Sequence, residues 1–256
     1  LRRELLSPER YDPLVRPVNN TADPVLFEIR LNYNDVEIRE NEQTITMAIW
    51  MVALWKDVFL AWNSTEYDGV EQIDILPTGL WKPHFSILRS VEGDEIHIHE
   101  DALFSVQSTG LVTLQMGFVS KIVCKMDITK FPFDTQTCEF FIISSYMMAK
   151  EMKFDKVKFS NSNPVASQWV VVSSTATIGT RYSKSVVDFS ITAKRLPYLY
   201  IIEIIIPLVV TAMLNPMVLL IPPSSGELAS VAITILLSYT VFLNMLSGIL
   251  PKTSSS

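Results

Sequence analysis

Between residues 24 and 194 the chain is built of short runs in which apolar and polar side chains alternate. Segments 25–31, 44–50, 110–116, 139–144, 169–174 and 187–194 each read as a strand. In 44–50, for example, Ile45, Met47 and Ile49 fall on one face and Thr44, Thr46 and Ala48 on the other. That period of two marks a half-buried strand. Turn-forming clusters separate the runs: Asn32, Asn34 and Asp35, then Glu92-Gly93-Asp94, then Asn161-Ser162-Asn163-Pro164. No helical pattern alternates with the strands, which excludes a βαβ sheet. The spacing predicts an all-β sandwich of about ten strands, with a short helix over 3–9 ahead of it.

The pattern changes after Arg195. Residues 1–195 hold 20 Lys and Arg and 25 Asp and Glu, whereas 196–256 hold only Glu203, Glu227 and Lys252. The uncharged gaps between those three exceed the roughly 20 residues that a membrane span needs. Two spans are predicted, over about 199–221 and about 227–250. The first contains Pro207 and Pro216, and Pro222-Pro223-Ser224-Ser225-Gly226 breaks the chain between the two. The chain therefore divides into 1–195 and a membrane region, 196–256. With 256 residues, 48% hydrophobic, and a net charge of −6, it has no basic patch to suggest a nucleic-acid partner.

The second span carries a polar stripe. At 100° per residue, Ser230, Thr234, Ser238 and Asn244 fall within an arc of about 120°. Leu237 and Val241 lie near its middle, with Met245 one turn further on. Ala232, Ile235, Tyr239, Phe242 and Leu246 cover the opposite face. Hydroxyls and an amide on one side must be kept from lipid. Several copies around an axis achieve this by lining a wet pore, in which Leu237 and Val241 form apolar rings that gate by dewetting. A helix–helix seam using Ser and Thr is the alternative, and the arc is wide for one. Glu227, one turn before Ser230, contributes a ring of carboxylates at the pore mouth or a favourable charge at a helix start.

Cys124 and Cys138 are the only cysteines. In an oxidising compartment they form one bridge, worth about 3 kcal/mol in the chain-entropy model. Two unrelated buried thiols are the alternative. The start, Leu1-Arg2-Arg3-Glu4, lacks an apolar signal core, as after removal of a leader. Sequons at Asn19 and Asn63 lean towards secretion and glycosylation. His97 and His99 share a strand face and are candidate Zn²⁺ ligands, but a third is not placed, so a solvated face is the stronger reading and no metal site is assigned. With three histidines and no nucleophile or phosphate motif, the sequence supports neither an enzyme nor a cofactor.

The segment 124–138, with Phe131-Pro132-Phe133-Asp134 between its cysteines, resembles the signature loop of Cys-loop receptors, the pentameric ligand-gated ion channels. Trp55-Lys56-Asp57, Trp81-Lys82-Pro83, Pro207 and Ser225-Gly226-Glu227 also match. The likeness is to nicotinic acetylcholine receptor subunits, of an invertebrate, orphan type. It implies an extracellular sandwich, a homo- or hetero-pentamer in the plasma membrane at a postsynaptic-type cell surface, and a pore for monovalent cations. Such subunits have four spans, and the third and fourth are not in this sequence. The resemblance also places a coupling cluster where the sandwich meets the membrane and lipids: Arg195 pairing with Glu40 and Asp134, beside Phe131, Pro132 and Phe133.

The family's agonist pocket lies between subunits and cages a cationic amine in aromatic faces. Trp50 matches the complementary side. The principal side departs from the pattern: Leu88 stands where a Tyr is usual, Ser145 where a Trp is usual, with Tyr146 adjacent. His84 replaces an Asp. The third loop lacks vicinal cysteines and offers Arg181 and Tyr182, and the Arg181 charge is expected to repel an ammonium and attract an anion. Acetylcholine is thus expected to be a poor small-molecule agonist. Two rival readings are a structural subunit without a principal agonist site and a soluble ligand-binding module, which the spans oppose.

Overall fold

The computed structural model describes all residues except 92, 94, 101, 162–164, 167, 221, 223–225, 227 and 250–256. Eleven strands follow a short helix: β1 (Val25–Arg39), β2 (Thr44–Lys56), β3 (Gln72–Ile75), β4 (Phe85–Leu88), β5 (Phe104–Gln107), β6 (Leu111–Val123), β7 (Thr135–Ser144), β8 (Met152–Asn161), β9 (Val165–Ala166), β10 (Trp169–Arg181) and β11 (Lys184–Arg195). They form a six-stranded sheet, β3-β5-β6-β2-β1-β8, and a five-stranded sheet, β4-β7-β11-β10-β9. β8 joins β1 in parallel, and the other pairings are antiparallel.

The alternation read from the sequence is the burial pattern of the strands. Phe27, Ile29, Leu31 and Tyr33 of β1 point inward and are almost wholly buried. The Phe27 ring lies 5.5 Å from both Trp55 and Phe85, and Trp55 meets Phe104 edge-on at 5.6 Å. Burying each such ring contributes about 1.5–3 kcal/mol. A second aromatic group, Phe140 stacked on Phe189 at 4.9 Å with Phe159 across them, fills the core under the five-stranded sheet.

Two sequence expectations change. The helix spans Arg2–Leu5 rather than 3–9, because Pro8 disfavours helical geometry at Ser7. The chain turns there instead, with the Arg10 and Tyr11 amides donating to the Ser7 carbonyl. The Asn32, Asn34, Asp35 cluster is not a turn. β1 runs through it with a register shift between Tyr33 and Val36, a bulge that absorbs the polar residues without ending the strand. The Asn161-Ser162-Asn163-Pro164 cluster begins as the last residue of β8, and its other three residues fall outside the described set.

The N-terminal segment is tied to the sandwich by a buried polar contact. The Tyr11 hydroxyl donates to Asp57 at 2.7 Å and accepts from the Trp81 amide at 3.1 Å. Burial raises the Asp57 carboxyl above its usual range, although the Tyr11 bond works against it. Gly110 sits over this corner with φ +81°, and a Cβ there would lie 2.5 Å from the Asp57 carbonyl oxygen.

Beyond Arg195 come two helices long and apolar enough to cross a membrane, Tyr198–Val218 and Ala229–Gly248. No part of the second's apolar stretch is buried within the chain, which sets it apart from a core helix. The first contains a π turn, Ile201–Ile205. Pro207 has no N–H to return to the Glu203 carbonyl, and the π turn lies across that gap.

Candidate functional site

The predicted residues fall into three places. At the foot of the sandwich, β11 ends in Arg195, which is 1% exposed. Its Nε and Nη2 donate to the two oxygens of Asp134 at 2.6 and 3.0 Å, a bidentate pair. Its Nη1 donates to Glu40, in the turn between β1 and β2, and to the Tyr200 hydroxyl at 3.0 Å. The guanidinium is also packed between rings, 4.3 Å from Trp169 and 4.9 Å from Phe131. Pro132 is buried beside it and Phe133 is exposed. Burial alone would raise the Asp134 carboxyl, but bonds from Arg195 and Gln136 outweigh it and hold the group below the usual carboxylate range. Burial would likewise lower Arg195, and Asp134 and Glu40 more than offset it.

Cys124, next to the end of β6, and Cys138, in β7, are bonded to each other with Cα atoms 5.0 Å apart. The bridge ties the six-stranded sheet to the five-stranded one and closes the loop that presents Phe131 to Asp134. Sequence reasoning missed Tyr200, Trp169, Gln168 and Gln136. Tyr200 was the findable one, a hydroxyl at the start of an otherwise apolar span. It contacts Gln168 at 2.6 Å as well as Glu40 at 3.0 Å.

The second place is divided between the sheets. Trp50 projects from the outer face of β2, half exposed, with its ring against Gly117. Leu88, Ser145, Tyr146, Arg181 and Tyr182 gather on the five-stranded sheet, so one chain does not close a cage around a ligand. Ser145 is held by Ser86 and by Lys184, which reaches its carbonyl at 2.6 Å. Tyr146 is exposed and meets the His84 ring edge-on at 5.2 Å, and His84 contacts Glu95 at 3.2 Å. β10 and β11 are joined by Tyr182 and Ser183 alone, with φ of 51° and 59°, a type I′ hairpin. Tyr182 is 87% exposed at its tip. Arg181 does not present the free charge expected of it: it pairs with Asp188 at 3.4 Å and lies over Phe141.

The third place is the helix Leu228–Ile249. Ser230, Thr234, Leu237, Val241, Asn244 and Met245 are uncovered, and Ser238 is half-buried. Ile235, Tyr239, Phe242 and Leu246 are partly covered. The Thr234 and Ser238 hydroxyls donate to carbonyls one turn back, each at 2.9 Å, so their lone pairs remain for an outside partner. Glu227 lies outside the described residues. Asn19 and Asn63 are exposed, and Asn63 accepts from the Thr65 hydroxyl at 2.9 Å. His97 and His99 are exposed and lie between β4 and β5 rather than on the strand expected of them, and among the described residues no three His, Cys, Asp or Glu side chains converge on a metal position.

Residues 1–197 match the family model described as the neurotransmitter-gated ion-channel ligand binding domain. The neuronal acetylcholine receptor subunit alpha-3 of Bos taurus is 30% identical over 259 residues, covering 96% of this chain and 52% of that subunit. The beta-4 subunit of Gallus gallus is 30% identical over 265 residues, covering 99% of this chain and 55% of its own. The acetylcholine receptor subunit alpha of Danio rerio is 30% identical over 260 residues, covering 96% and 56%. The chain thus spans about half the length of these three receptor subunits. With its paired cysteines, its two-sheet sandwich and the apolar helices that follow, the chain belongs to the Cys-loop family of neurotransmitter-gated ion-channel subunits.

Proposed function

We propose that the chain is a subunit of a pentameric, cation-selective ligand-gated channel. Residues 1–195 form its extracellular ligand-binding domain, and the helix around 228–249 lines its pore in the plasma membrane. The observation that carries this reading is the polar row Ser230, Thr234, Ser238 and Asn244 along one side of that helix, opposite the partly covered Ile235, Tyr239 and Leu246. Its Thr234 and Ser238 hydroxyl protons are spent on the helix backbone, so the face offers acceptor oxygens, which suit a partly hydrated cation and serve an anion poorly. A Glu227 ring adds negative potential at the mouth. Leu237 and Val241, uncovered on the same side, form the gate. Agonist binds between Trp50 of one subunit and the Leu88, Ser145, Tyr146 and Tyr182 side of the next, and the Arg195 cluster couples that event to the first span. Recording from the full-length protein tests this reading: reversal potentials should follow the monovalent cation gradient, and tracking of chloride would refute it.

A second reading is favoured by one feature. The principal side has Leu88 and Ser145 in place of aromatic residues, and a two-residue hairpin has little reach to close over a ligand. A subunit of this kind contributes pore and complementary surface to a heteromer without a principal site of its own. Current from the chain expressed alone separates the two readings.

A further inference from the structure

Phe141 lies on the outward side of the five-stranded sheet, opposite Asp188 of β11 and Leu88 of β4, yet it is only 6% exposed. Guanidinium groups cover it. The Arg181 Cζ is 4.3 Å from the ring centroid and the Arg89 Cζ is 5.0 Å from it. Arg181 pairs with Asp188 at 3.4 Å and Arg89 with Glu139 at 3.6 Å. Arg89 reaches its place from a backbone φ of 74°, a conformation that costs a non-glycine residue energy and marks positions held by their surroundings.

An aromatic face beside a carboxylate is the chemistry that recognises an organic cation. Arg181 occupies that place loosely. Its contacts with both Asp188 oxygens are 3.4 Å, against about 2.7–2.9 Å for a well-formed charged hydrogen bond. Asp188 Oδ1 is shut off from water and accepts no hydrogen bond, a cost for a buried acceptor that the long Arg181 contact offsets only in part. A cavity of about 210 Å³ adjoins the pair, lined by Arg181, Asp188, Phe141, Glu139 and Thr177 among others, so carboxylates outnumber cations in its wall.

We propose that Phe141 and Asp188 form a site for a small organic cation, and that Arg181 is its tethered resident. A ligand bearing N–H donors, a guanidinium or a primary ammonium, satisfies Asp188 Oδ1 and displaces Arg181. A quaternary ammonium has no N–H and does not. Arg181 is the last residue of β10 before the two-residue turn, so its release loosens the hairpin tip. The inference needs only the fold of the sandwich and stands apart from the channel reading.

The test is equilibrium binding of radiolabelled methylguanidinium to the whole purified chain in detergent. Arg181→Ala should bind it saturably and about tenfold more tightly than the unmodified chain, the factor that one vacated cation–π and carboxylate contact supplies. Adding Asp188→Asn or Phe141→Leu should remove that gain, and tetramethylammonium should not compete. Hydrogen exchange on the unmodified chain gives a second readout: saturating methylguanidinium should speed exchange of the amides at 181–184, and tetramethylammonium should not. Binding to Arg181→Ala no tighter than to the unmodified chain, or a gain that survives Asp188→Asn, overturns the proposal. If the variants do not fold, unchanged exchange at the hairpin of the unmodified chain overturns it.

Discussion

Arg195 shows what one side chain can hold together. Its bidentate bonds to Asp134 need a planar fork, which a lysine ammonium does not supply. Removing it leaves Glu40 and Asp134 as buried carboxylates without their cation, a loss of about 3–5 kcal/mol. Arg195→Ala should therefore abolish surface expression, and Arg195→Lys should lower it, both measured by surface labelling. The pH dependence follows from Asp134. Its folded carboxyl titrates below its unfolded value, so the pair's contribution is full above the unfolded pKa of about 3.9. It shrinks as pH falls from there towards the lowered folded value. Unfolding midpoints taken down through this acid range should fall for the unmodified chain and fall less steeply for Asp134→Asn. The charged members of this cluster were legible through the family resemblance, which implies an Arg195 pairing with Glu40 and Asp134. Trp169, Gln168 and Gln136 were not, since only folding brings the starts of β10 and β7 beside the end of β11. The Arg181 pairing was hidden for a similar reason: Asp188 stands opposite Thr177, four ladder positions from Arg181, and only the folded sheet lets the long arginine side chain reach back to it.

At the scale of elements, strands with one wet and one dry face declared themselves. β1, β2, β6 and β11 carry strict alternation over much of their length, and the packing of two sheets turns that alternation into burial. The strands that escaped are the four-residue β3, β4 and β5, the two-residue β9, and β8. A run that short holds only two residues per face. β8 pairs on one edge only and carries Lys153, Lys156 and Lys158, which protect a sheet edge from other strands while masking its apolar positions. Gly110 tests the corner that β2 and β6 share with the N-terminal segment. Gly110→Ala combines a positive φ with a 2.5 Å clash on backbone, and should destabilise by about 2 kcal/mol or more. Gly79→Ala has a similar φ but open space around it, and should cost about 1 kcal/mol. Denaturant midpoints for the pair separate clash from strain. Replacing both Cys124 and Cys138 by Ser should cost about 2–5 kcal/mol in the same assay, because their bond joins the two sheets.

For the whole molecule, the proposal puts gating and selectivity in a pore assembled from several copies. Leu237→Ser lowers the cost of wetting an apolar ring, so resting current or agonist sensitivity should rise, and an unchanged leak and dose response would count against a gate there. Thr234→Val keeps the shape but removes an acceptor oxygen. It should lower single-channel cation conductance while leaving the agonist response in place.

β11 links the parts of the protein that these tests probe. It runs without interruption from Lys184, beside the Arg181 hairpin, to Arg195, just ahead of the first apolar helix, a rod of about 40 Å at roughly 3.3 Å per residue. Such a rod is a lever. A tilt of about 5° at the hairpin end displaces the far end by about 3 Å, as long as the hydrogen bonds held there. On the proposed coupling role, the guanidinium of Arg195 is thus the point where a small angular change at the hairpin becomes a choice between making and breaking specific bonds.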